Sequence, residues 1–233
     1  MQHNDFNSST RRGFLTKIAT GAAALGAATL AAPINAAANA GFLPEGGVAD
    51  ADAWFKQIKG KHRIVFDCTE PNGIFPFAWP KIFLLTNAAT GTPEKDNSAV
   101  VILRHSAIGY AMEDSVWAKY KLGELFKAED PKTNQPSVRN PFWQPKPGDF
   151  VVPGVGPVPI GINELQDSGV MFCVCNMALI VYSAVAAGQV GMKPEDVYKE
   201  WKEALLPKVQ IVPSGVWAVG RAQENGCAYC FAG

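Results

Sequence analysis

Thiols are the groups in this chain best suited to covalent or metal chemistry, and there are five: Cys68, Cys173, Cys175, Cys227 and Cys230. Cys175 leads. It follows the apolar run Val170-Met171-Phe172-Cys173-Val174 and precedes a helical pattern opening at Asn176. It therefore falls just past the carboxyl end of a strand and at the N-terminus of a helix. Unpaired backbone N–H groups and the helix dipole favour a thiolate there, which makes the sulfur a better nucleophile and metal ligand. Cys173, two residues earlier, is expected on the same face with its Cα roughly 6–7 Å away, the upper limit for a disulfide. The bland alternative makes both cysteines small buried apolar residues.

Cys227-Ala228-Tyr229-Cys230 has C-x-x-C spacing inside a strand-like run. On a strand, residues three apart face opposite sides about 10 Å apart, too far to bridge. A turn there would instead let Cys173, Cys175, Cys227 and Cys230 form a four-thiolate centre for zinc or an iron–sulfur cluster. Arg104-His105-Ser106 follows a second apolar strand. His105 is thus a candidate acid–base partner or thiolate orienter, or simply a hydrogen-bonded histidine. Cys68 ends the first strand in the same way. Open α/β sheets bind ligands at the carboxyl ends of their strands, so Cys68, His105 and Cys175 would share one rim if strand order allows. The candidate catalytic set is Cys175, His105 and Cys173. Arg221 and Gln223, late in the last helix, are surface groups or ligand contacts. Gly154-Val155-Gly156-Pro157 follows no strand and is broken by prolines, so it is not a phosphate loop.

The elements that must position these groups alternate. Helical spacing over Asp50–Lys59 precedes the strand His62–Asp67, and a helix over Phe75–Ala88 carries Pro76 and Pro80 near its first turn. Ala99–Leu103 is continuously apolar, as in a parallel strand covered on both faces. One or two helices follow over Ile108–Phe126, then a proline- and glycine-rich irregular insertion at 127–160, whose Pro141-Phe142-Trp143 suggests docking, for example on a second subunit. Strands are expected at Val170–Val174, Val209–Val212 and Ala228–Phe231, with helices over Ile162–Asp167, Asn176–Ala187, Pro194–Leu206 and Ser214–Gln223. Strand–helix alternation implies an α/β three-layer sandwich with a mainly parallel five-stranded sheet.

Ahead of all this, Thr10-Arg11-Arg12-Gly13-Phe14-Leu15 begins an arginine-pair box, followed by an alanine-rich apolar run and Ala38-Asn39-Ala40. This order reads as a twin-arginine signal peptide over residues 1–40, cleaved before Gly41, and implies the twin-arginine translocase, folded export and a periplasmic or otherwise exported product. The remaining 193 of 233 residues, 41–233, suit one domain. They hold 18 basic and 20 acidic residues once Arg11, Arg12, Lys17 and Asp5 are removed. No basic run argues for nucleic acid, and no second apolar segment suits a stable membrane span. Only His62 and His105 remain of the histidines, too few for a multi-histidine metal site.

The succession Gly169–Met177, then Val209–Val216, then Arg221–Tyr229, together with the strand Val100–His105 ending in a histidine, resembles the DsrE/DsrF-like family. That resemblance implies a compact α/β fold with a parallel five-stranded sheet, homo-oligomers, and a cysteine carrying persulfide sulfur, which Cys175 matches by position. The chain departs from the family's relay members in its export signal, its insertion and its extra cysteines. The leading expectation is therefore thiol-dependent sulfur transfer with a small sulfur compound or a sulfur-relay protein, needing no organic cofactor. In it, Cys175 accepts sulfane sulfur, His105 assists and a neighbouring cysteine resolves the persulfide. The alternatives are a periplasmic protein whose cysteines ligate a metal or haem, and a non-catalytic partner subunit.

Overall fold

In the computed structural model, residues 47–233 are described. The signal-peptide reading over residues 1–40 lies outside them. Five strands form the main sheet: β1 (His62–Cys68), β2 (Asn97–Leu103), β5 (Met171–Cys175), β6 (Val209–Val212) and β7 (Ala228–Phe231). All four pairings are parallel and the order is β6-β5-β2-β1-β7. β2 is central and every one of its residues is buried, as its unbroken apolar run requires.

Helices cover both faces. On one side lie α2 (Phe75–Ala89), α3 (Asp114–Lys119), α4 (Leu122–Phe126), α5 (Ile162–Asp167), α6 (Asn176–Val190) and α7 (Pro194–Glu203). The other side carries α1 (Gly47–Phe55) and α8 (Gly215–Glu224). β2 feeds both layers by strict alternation: Val101 and Leu103 join the α2–α6 core, Val100 and Ile102 the α1/α8 core. The chain is thus a three-layer α/β sandwich around a parallel five-stranded sheet.

Some elements differ from expectation. α1 stops at Phe55 because Gln57 and Ile58 donate to the carbonyls of Trp54 and Phe55, a tight final turn, four residues before the expected end. Ile108–Phe126 breaks into a 3₁₀ segment, His105–Ala111, followed by the short α3 and α4. The insertion holds only a two-residue hairpin, β3 (Val151–Val152) with β4 (Gly156–Pro157). It docks within its own chain: Phe142 is fully buried and stacks between Phe77 and Phe150. Asn140, also fully buried, donates to the carbonyls of Tyr110 and Met112 at 2.9 Å each and accepts from the Phe142 N–H. Pro141-Phe142-Trp143 is therefore explained without a second subunit. No helix among the described residues is long and apolar enough to cross a membrane.

Candidate functional site: a thiol and an oriented ion pair

β1 alternates Val65 and Asp67 toward α1 and α8, which puts a carboxylate where only 2% of the residue reaches solvent. A charge so placed persists only if paired and hydrogen-bonded. Arg104, the residue after β2, continues that strand's alternation to the same side and supplies the partner. Its Nε donates to Asp67 Oδ1 at 2.6 Å and its Nη2 to Oδ2 at 2.9 Å, a bidentate fork. Tyr229 of β7 adds its hydroxyl to Oδ2 at 2.9 Å. The hydrogen bond to Asp67 holds the Arg104 guanidinium above its ordinary range, while desolvation and then the same carboxylate push the Tyr229 phenol up. Gly215, at the start of α8, lets the arginine stem lie against the helix: a Cβ there would sit 2.5 Å from Arg104 Cβ and Cδ.

Cys175 closes β5 and caps α6. Its Sγ accepts the Ala178 N–H at 3.3 Å, so the expected strand-end, helix-start position is what forms. Leu103 and Val174 are register partners, which makes Arg104 and Cys175 the next neighbours along β2 and β5. Tyr229, Asp67, Arg104 and Cys175 thus span the carboxyl ends of four adjacent strands, from the β7 edge past the β1/β7 boundary where the chain's strand order reverses.

His105 makes no hydrogen bond to them: it has a left-handed φ of 50°, and its exposed ring bonds Tyr182 Oη at 3.0 Å through Nε2 and Ser106 Oγ at 3.3 Å through Nδ1. Alternation explains the correction: Arg104, not His105, follows Ile102 onto the Asp67 side. Cys173 is fully buried in the α1/α8 core, and burial pushes its thiol well up, so it is no ready nucleophile or resolving thiol. Cys175, two residues on, sits at the strand end, where it touches the α2–α6 core and caps α6 instead of being sealed between the sheet and α1/α8. Cys68 points into the α2–α6 core and is likewise raised by burial.

The C-x-x-C pair divides as strand geometry requires. Cys227 packs toward α1 and α8, where burial pushes its thiol up to about 11, and Cys230 packs toward α2. All five cysteines are unbridged. β2 and β1 separate β5 from β7, a span of roughly 14 Å at the usual interstrand spacing. Cys173, Cys175, Cys227 and Cys230 therefore do not gather, and among the described residues no three His, Cys, Asp or Glu side chains are grouped to hold a metal ion. Arg221 is spent on Asp52 and Glu224, tying α8 to α1.

Asp67 and Tyr229 are the residues that sequence reasoning passed over. The available signal was an acid inside the apolar run Ile64–Cys68, which demands a cation from a neighbouring strand end.

A cleft of about 640 Å³ opens at the opposite, amino end of the sheet, lined by Lys59, Lys61, Lys95, Asn97 and Ser98 among others. It is roomy but holds no thiol. The carboxyl rim is the candidate site because a strand-end thiol and a guanidinium with a buried counter-ion lie on adjacent strand ends there.

The fold is that of an α/β protein whose main sheet is wholly parallel, with Cys175 and Arg104 at adjacent strand ends. No protein-family model matches the chain, and no curated protein does. Among solved structures, it is similar to a protein of unknown function, MTH1491 from Methanobacterium thermoautotrophicum, at 19% identity and a TM-score of 0.39, covering 73% of this chain and 99% of that one.

Proposed function

We propose that this chain is an exported, DsrE/DsrF-like thiol protein that accepts and passes on sulfane sulfur at Cys175. The observation that carries the reading is the position of its sulfur at the β5–α6 junction, where it accepts the Ala178 N–H, with Arg104 at the matching end of the neighbouring strand. Both stabilise negative charge on a sulfur during attack and in the persulfide that follows. Arg104 takes the assisting role first expected of His105. Because Cys173 and Cys68 are buried thiols, the persulfide would be resolved by an incoming acceptor thiol, not within the chain. Homo-oligomer formation belongs to the same family-based reading.

The test is direct. The full chain, reduced and then exposed to inorganic polysulfide, should gain the mass of one or more sulfur atoms, reversed by dithiothreitol. Cys175→Ser should abolish the gain and Cys230→Ser should not. Undiminished uptake by Cys175→Ser would end the proposal.

A further inference from the structure

The Asp67–Arg104 pair is oriented. The Asp67 side chain is 2% exposed and that of Arg104 26%, so the negative partner is sealed inside the fold while the positive one reaches the rim. Two of the guanidinium's donor groups, Nε and Nη2, hold Asp67, which leaves Nη1 for a ligand. Tyr229 shares the task of fixing the carboxylate, and Gly215 lets the arginine stem pack closely. The cation is therefore rigid as well as outward-facing, the arrangement that reads an anion's position.

Access to the sulfur is narrow. Cys175 is 6% exposed, so a donor must be slim enough to bring its terminal atom to Sγ without a bulky carrier behind it. A cysteine persulfide on a folded protein surface does not meet that condition. A small inorganic anion does.

We propose that the sulfur donor for this rim is an inorganic anion with a terminal sulfane sulfur and an oxyanion end, of the thiosulfate type, with Arg104 binding the oxyanion end. The inference rests on the reading of Cys175 given above. In the step, the Cys175 sulfur attacks the terminal sulfur of thiosulfate and a new S–S bond forms. The bond to the sulfonate sulfur breaks and sulfite leaves with the bonding pair. The thiol proton ends on sulfite, giving hydrogen sulfite, and Cys175 is left as a persulfide anion. Charge and atoms balance with no external oxidant. Arg104 faces the oxygens on which the leaving pair's charge develops, so it favours the transition state over the bound donor.

The experiment compares three reagents on the reduced full chain: thiosulfate, inorganic polysulfide and neutral iodoacetamide. Thiosulfate should add one sulfur at Cys175 and release one equivalent of sulfite, at a rate that falls as salt rises. Alkylation by iodoacetamide should be nearly salt-independent, because no charge steers it. Arg104→Gln strands a buried carboxylate, so the paired variant Asp67→Asn/Arg104→Gln is also used, which removes both charges together. In it, alkylation reports the loss of thiolate stabilisation, and thiosulfate loading should fall at least about tenfold further than alkylation does. Arg104→Lys, which keeps the charge and loses the fork, should fall between the two. Loading by polysulfide but not thiosulfate would overturn the donor class and leave the Cys175 reading standing. Equal loss of thiosulfate loading and alkylation would overturn the role given to Arg104. Failure of both sulfur donors would remove the Cys175 reading itself.

Discussion

The two ends of the sheet differ in a way that cavity size does not reveal. At the amino end, α1, α2 and α5 finish, and the 640 Å³ cleft collects Lys59, Lys61 and Lys95 against helix C-termini, where cations complement the dipoles. At the carboxyl end, α6 and α8 begin, their N–H groups point toward the rim, and a thiol and a braced guanidinium end adjacent strands. The roomier end carries solvated charge. The tighter end carries charge that is buried, paired and aimed. Chemistry follows the second condition, because a fixed dipole in a dry setting acts on a reacting atom more strongly than a mobile surface cation.

The contrast breaks most plainly at the sulfur. Cys175→Ser should lose all sulfur uptake, whereas Lys59→Ala/Lys61→Ala should retain it, both followed by intact mass. Uptake lost in the lysine variant would move the site to the other end of the sheet. Next in size is Asp67→Ala, which leaves Arg104 without its counter-ion. It should cost about 3 kcal/mol of stability by urea denaturation, somewhat less if the partly exposed guanidinium regains water. Lys59→Ala should stay within about 0.5 kcal/mol.

Two glycines sharpen the comparison. A Cβ at Gly60 would meet the backbone of Asn97 and Ser98 at 2.4 Å, atoms that cannot yield. Gly60→Ala should therefore fall near the top of the roughly 1–3 kcal/mol range for overpacking, with uptake by the folded fraction unchanged. At Gly215 the neighbour is the Arg104 side chain, which a Cβ would displace from its packed position where backbone could not yield, so Gly215→Ala should cost less stability and more uptake, read by midpoint and loading rate together.

The smallest effect is alkaline. Burial lifts the Cys227 thiol from 9.0 to about 11, so between those values the unfolded chain has released a proton that the folded chain still holds. Stability is thus intact below pH 9.0 and declines as pH rises toward 11. Urea midpoints across that window should fall less steeply for Cys227→Ala than for the parent chain.

Much of this was legible in the residues. Val209–Val212, Ala228–Phe231 and Ile162–Asp167 form where apolar period and turn residues put them, and Cys175 falls at the strand-to-helix junction that its flanking patterns require. Two candidates fail for tertiary reasons: Cys173 is sealed in the α1/α8 core, which raises its thiol, and at the end of β2 it is Arg104 that faces Asp67 while the left-handed His105 bonds Tyr182. The metal set failed on strand order, since local patterns cannot say that β1 and β2 lie between β5 and β7.

From the chain alone came the alternation of elements, the five thiols and the one cysteine at a helix start, because hydrophobic period and capping are local properties. Only the assembled sheet decided that Asp67 from β1, Arg104 just past β2 and Tyr229 from β7 would meet in one hydrogen-bonded cluster. Buried charge finds its partner across strands, at separations of 37 and 162 residues, where no local rule reaches.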